Sequence, residues 1–257
     1  MTPSPLLEFQ RVSKRFADGT EALDSVDLAV APGEFVSMVG PSGCGKSTLL
    51  RIAAGLEAAS AGAARVRTKK IGFVFQDPTL LPWRTVRANV ELPLELEQVA
   101  KAERRRLAAE TIELVGLSDF AGHLPGSLSG GMRMRASLAR SLVLRPELFL
   151  LDEPFGALDE LTRHRLNDEL AQLFLEQRFA ALLVTHSVTE AVFLSSRVVV
   201  MSARPGRVLE TFEVPFEYPR PPKLRFDEQF SRLAGQVSEC LARDHAEDQP
   251  DDRPAER

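Results

Sequence analysis

The chain has 257 residues, 44% of them hydrophobic, enough to bury a substantial core in one large domain or two small ones. Its formal net charge of -4, with Lys and Arg scattered among Asp and Glu, leaves no basic stripe and argues against nucleic acid as a partner. Two distant cysteines, Cys44 and Cys240, make neither a disulfide framework nor a zinc spacing, and a reducing compartment fits.

The first residues, MTPSPLLEFQ, lack the basic and apolar regions of a secretory signal, and no run approaches about 18 apolar residues. A protein of this kind working at a membrane is expected to dock onto another chain. Short apolar runs at 6–16, 22–30, 34–40, 70–76, 147–152, 180–186, 197–202 and 207–214 read as strands. Their alternation with longer helical patterns predicts an α/β fold with a mostly parallel sheet. The alanine-rich patch at 58–64 reads as a shortened connection. Between about 79 and 144 the pattern changes to three helical stretches, 86–97, 101–115 and 130–144, which predicts a helical subdomain inserted into the sheet domain. Arg204, Pro205, Gly206 and Arg207 make a turn between the last two strands. One domain over 1–243 is expected, followed at 244–257 by an acidic, proline-containing tail too polar to offset the entropy of ordering.

The segment EFVSMVG-PSGCGKST-LLRIAAGL sets Gly40, Pro41, Ser42, Gly43, Cys44, Gly45, Lys46, Ser47 and Thr48 between a strand and a helix, the context a phosphate-binding loop requires. Glycines allow successive N–H groups to wrap phosphate oxygens, and the helix start adds its positive end. Lys46 is expected on the β- and γ-phosphates, and Ser47 on a Mg²⁺ ion. Cys44, beside Lys46 and a helix start, is expected to be a reactive thiol that nucleotide protects. The strand in ELFLLDEP delivers Asp152, the expected Mg²⁺ carboxylate, and Glu153, placed to orient or deprotonate an attacking water. The alternative makes both acids ordinary residues of a helix start, with Pro154 at its first position.

With LSGGM, 128–132, ahead of that acid pair, the chain resembles the ATP-binding subunits of ABC transporters over nearly its whole length. The resemblance implies a P-loop NTPase core, an N-terminal antiparallel β subdomain and the inserted helical subdomain. It further implies that Ser129, Gly130 and Gly131 start a helix facing the γ-phosphate of ATP held by a second copy of the chain. Gln76 resembles the glutamine that contacts Mg²⁺ and the attacking water. Asp159, in the loop 156–159, resembles the residue that senses the partner's site, His186 the switch histidine, and Phe16 the aromatic that stacks on adenine. A core role is the alternative for Phe16. Met132 departs from the family's usual glutamine, and the stretch 59–70 looks short for the family.

The run 75–94 is similar to the subgroup serving nitrate, sulfonate, taurine and related importers. That resemblance implies a separate transmembrane permease, with Trp83 either docking it or packing inside the helical subdomain. It implies, indirectly, a solute-binding protein, and a peripheral position on the cytoplasmic face of the inner membrane. A soluble ABC-type ATPase with a non-transport partner and a P-loop kinase are the rival readings; the kinase leaves LSGGM, Gln76 and His186 unexplained.

Overall fold

The computed structural model describes residues 4–156 and 158–247. Six strands form the main sheet: β3 (Phe35–Val39), β5 (Ile71–Val74), β6 (Leu148–Asp152), β7 (Ala180–Val184), β8 (Arg197–Met201) and β9 (Val208–Glu213). Their order is β5-β6-β7-β3-β8-β9, parallel throughout except for the antiparallel edge strand β9. Every residue of β3, β6 and β7 is buried, as expected of central strands covered on both faces. The period-2 alternation sorts their side chains: Val36, Met38, Leu148 and Leu150 enter one core, while Phe35, Val39, Phe149 and Leu151 enter the other.

The first core is closed by α1 (Lys46–Ala53) and an antiparallel sheet of order β2-β1-β4, made of β1 (Leu7–Arg15), β2 (Glu21–Val30) and β4 (Ala61–Val66). β4 corrects the expectation of a bare connection over the alanine-rich patch. It pairs with β1 through a register shift, and at Gly62 (φ +77°) an added Cβ would lie 2.1 Å from the Arg11 carbonyl oxygen. Only glycine permits that approach.

The second core is closed by α2 (Val86–Leu96), α3 (Lys101–Leu114), α4 (Gly130–Leu142), α5 (Glu160–Gln177), α6 (Val188–Leu194) and α7 (Glu228–Glu247). The stretch between β5 and β6 holds α2, α3 and α4 and no strand among the described residues. α7 corrects the boundary of the expected tail. Residues 244–247 are helical, and the Asp244 carboxylate accepts the Ala203 N–H at 2.6 Å; 248–257 lie outside the described residues. No helix among the described residues is long and apolar enough to cross a membrane.

Candidate functional site

Because β5, β6, β7 and β3 are neighbours and parallel, their carboxyl ends bring four separated sequence segments to one edge of the sheet. Gln76 follows β5, Asp152 ends β6 with Glu153 after it, His186 follows β7, and the loop 40–45 follows β3. The loop turns into α1 at Gly45, which caps the helix with φ +102° and lies so close to β2 that a Cβ would sit 2.5 Å from the Ala22 carbonyl oxygen. Lys46 is only 5% exposed. Its ammonium folds back over the loop, donating to the Gly40 and Pro41 carbonyls at 2.7 Å each. The ammonium is therefore held by two carbonyls at the start of the loop.

Cys44 is 1% exposed, with Sγ 3.7 Å from the Lys46 ammonium. This corrects the expected reactive thiol: an alkylating agent reaches Cys44 only if the loop opens.

Ser47 Oγ donates to Asp152 Oδ1 at 2.8 Å. Burial pushes the Asp152 carboxyl up, the Ser47 hydrogen bond opposes that, and the neighbouring Glu153 charge adds to it. A buried acid beside a hydroxyl, with the Gln76 amide at the same edge, is a set of hard oxygen donors that fits Mg²⁺. Glu153 adopts a left-handed conformation (φ 46°), with its N–H on the Val184 carbonyl at 2.9 Å. Such backbone outliers in non-glycine residues gather at functional sites. Its Oε2 lies 3.2 Å from His186 Nδ1.

Phe16, Ser42, Lys46, Gln76, Glu153 and Arg204 are among the walls of one cavity of about 280 Å³. Phe16 is 38% exposed, with the Lys14 ammonium 5.1 Å from its ring centre, so it is not a core residue. Arg204 joins this wall with no local motif to announce it. From the turn between β8 and β9 its Nε and Nη2 donate to the Gly43 carbonyl at 3.0 and 2.8 Å, clamping the loop from outside. The available signal was a pair of arginines flanking Pro205-Gly206, but no pattern in the chain says which way a turn side chain points.

Two predicted segments do not join this cavity. Ser129 caps α4, its hydroxyl accepting the Met132 N–H at 3.2 Å, and Ser129 and Gly130 are exposed. A Cβ on Gly131 would lie 2.7 Å from Leu158 Cδ2, so the bare helix start depends on glycine. Asp159 caps α5, accepting the Thr162 N–H at 3.0 Å, and that bond holds its carboxyl below the usual range. Ala157 of the same loop lies outside the described residues. A larger crevice of about 670 Å³, at the opposite edge of the sheet by Glu147 and Arg178, contains none of the predicted residues.

Residues 23–156 match the ABC transporter family. An ATP-binding protein of Brucella abortus (strain 2308) is 44% identical over 240 residues, covering 91% of this chain and 92% of its own. The chain belongs to the ABC transporter family. It is an ATP-binding, ATP-hydrolysing subunit of that family, with the P-loop NTPase fold. The aliphatic sulfonates import ATP-binding protein SsuB 1 of Pseudomonas syringae pv. syringae (strain B728a) is also 44% identical, over 243 residues, 95% of this chain and 99% of its own. Among solved structures, the ATP-binding cassette MJ0796, in a dimeric post-hydrolysis state bound to ADP and Pi, superimposes with a TM-score of 0.75 at 33% identity, over 82% of this chain and all of that one.

Proposed function

We propose that this ABC subunit hydrolyses ATP in a dimer of two copies and so drives import of a small anionic solute of the aliphatic sulfonate kind through a separate permease. The observation that carries the catalytic part is the convergence at one edge of the sheet of the Lys46 cation, the Ser47–Asp152 pair and the Glu153–His186 pair. Lys46 and the loop N–H groups hold the β- and γ-phosphates, while Phe16 packs on the adenine and Arg204 keeps the loop in its wrapped form. Glu153 orients the attacking water and accepts its proton, and His186 holds Glu153 and the γ-phosphate in register. Ser47, Asp152 and Gln76 would hold Mg²⁺, which supplies charge neutralisation at the phosphates when bound. Ser129, Gly130, Gly131 and Asp159 serve the nucleotide of the other copy.

The similarity to the SsuB proteins supports the sulfonate class; nitrate and taurine belong to the same subgroup of resemblance. A permease partner and a solute-binding protein follow from that import role, with the chain peripheral on the cytoplasmic face of the inner membrane. Trp83, 73% exposed, is the apolar contact offered to the permease.

A strain lacking this chain is expected to lose growth on an aliphatic sulfonate as sole sulfur source. The parent chain should restore it and Glu153→Gln should not, although the purified variant still binds ATP with turnover lowered about a hundredfold or more. Growth of the deletion strain would remove the solute class. Parental turnover in Glu153→Gln would remove Glu153 from its role.

A further inference from the structure

α6 begins directly after His186, and its first turn is tied down in a way that capping alone does not require. Ser187 is the cap, its hydroxyl accepting the Glu190 N–H at 3.3 Å. In a standard capping box the acid three residues on reaches back to the N–H of the cap itself. Here the Ser187 N–H goes instead to Thr185 Oγ1 at 3.0 Å, and the Thr185 hydroxyl donates to Glu190 Oε2 at 2.6 Å. The hydroxyl is interposed, so a single carboxyl holds the residues on both sides of His186. Thr185 is anchored in turn to the strand that feeds the phosphate loop, through its N–H on the Met38 carbonyl at 3.2 Å.

That arrangement is costly. Glu190 is 4% exposed and Thr185 2%. Glu190 Oε1 has no hydrogen-bond partner among the described residues, and neither has Asn167 Oδ1. Both residues line a cavity of about 140 Å³ between the first turns of α5 and α6. Burying a carboxyl with one oxygen unpaired takes that oxygen out of water with nothing to replace the lost hydrogen bonds. A direct capping box would satisfy the same N–H without the intervening hydroxyl. On the α5 side, Arg163 donates to the Phe155 and Leu158 carbonyls at 3.3 and 2.8 Å, so the cavity also borders the bonds that shape the segment leading to Asp159.

We propose that Glu190 is the positioning residue of His186: acting through the Thr185 hydroxyl, it fixes the peptide units that flank His186 and so holds the imidazole against Glu153. The inference rests on the reading that the Glu153–His186 pair serves hydrolysis. It adds a residue that does not line the cavity at Lys46, and a reason for a buried acid that α6 does not need.

The test uses the full chain with Mg-ATP. Thr185→Val keeps the side chain's shape and removes the hydroxyl; Glu190→Ala removes the other end of the same link. A displacement of His186 by a fraction of an ångström is expected to lower kcat about tenfold in each variant, with KM for ATP within about twofold of the parent. The ¹⁵N resonances of the His186 ring should shift in both variants, and Thr185→Ser, which keeps the hydroxyl, should recover kcat to within about threefold. Unchanged kcat, unmoved ring resonances, or KM rising in step with the loss of kcat would overturn the proposal. The two variants are independent, so if one fails to fold the other decides. His186→Ala distinguishes the levels. If it keeps parental turnover, the role of His186 falls and takes this inference with it; if it is inactive while Thr185→Val and Glu190→Ala are silent, only the positioning role falls.

Discussion

Glu190 also carries a consequence for stability that can be read without any nucleotide. Burial pushes its carboxyl up from 4.5 to about 7 against the hydrogen bond from Thr185; Arg163 and His186 draw it down, and Glu153 adds to the rise. Glu160, His164 and Arg225 complete the charged and titratable wall of its cavity. Below about pH 4.5 the acid is neutral both folded and unfolded, so it adds no dependence of stability on pH there. Between 4.5 and 7 only the unfolded chain ionises, so stability drains away as pH rises, and above 7 the loss is constant at roughly 3 kcal/mol. Glu190→Gln lacks this term. Its unfolding free energy relative to the parent, from urea titrations across pH 4 to 8, should therefore climb by about that amount and level off above pH 7. A difference independent of pH would show that the native carboxyl ionises as it does in water. Arg204 could not be found from the chain alone, because its partner Gly43 is distant in sequence, and Glu190 reads there only as a cap acid, because its burial and its link through Thr185 are set by packing. Gly40 to Thr48, Asp152 and Glu153 stand out in the chain, because their spacing between strand and helix already places them together at the carboxyl edge of the sheet.

At its other end α6 is held by Arg220, which is 6% exposed. Its Nη1 donates to the carbonyls of Val192, Phe193 and Ser195 at 3.1, 2.8 and 2.9 Å, and its Nε and Nη2 reach the Phe216 carbonyl. A helix of seven residues leaves its last carbonyls without an internal partner; the buried guanidinium supplies those of Val192 and Phe193, and the Tyr218 hydroxyl supplies that of Leu194. Arg220→Ala strands four acceptors in the core, at a cost of about 3 kcal/mol, which for a domain of this size lowers Tm by roughly 10 °C. A calorimetric shift below about 2 °C would mean that solvent replaces the guanidinium. The short, strongly apolar central strands announced themselves as buried parallel strands, and the helices of the inserted segment by their period. β4 did not, because AGAARV has neither large apolar groups nor alternation. What makes it a strand is the edge of β1, together with a glycine that fits against Arg11. The helical residues 244–247 were hidden for a related reason: their polarity reads as tail, while the helix gains its hold through earlier apolar positions such as Phe230 and Val237.

One chain brings Phe16, the loop 40–48, Gln76, Glu153 and Arg204 to one cavity with His186 beside it, but leaves Ser129 and Gly130 exposed and outside it. A helix start kept bare by glycine and capped by its own serine is suited to receive an anion, yet it does not line the cavity that holds Lys46. If two copies close head to tail, each active site combines Lys46 of one chain with Ser129 of the other. That division of labour can be tested by mixing. A chain carrying Ser129→Arg keeps a sound phosphate loop but blocks its neighbour's site, and a chain carrying Lys46→Ala keeps a sound helix start but cannot hold triphosphate. Each should be nearly inactive alone. In an equimolar mixture about half of the dimers pair unlike chains, and each such dimer rebuilds one of its two sites, so ATPase activity should return to roughly a quarter of the parental rate. Recovery should fade on dilution, because the rebuilt site exists only in the dimer. If no activity returns at any concentration although both variants dimerise, the two halves of the site are not shared between chains, and the exposed helix start at Ser129 serves some other contact.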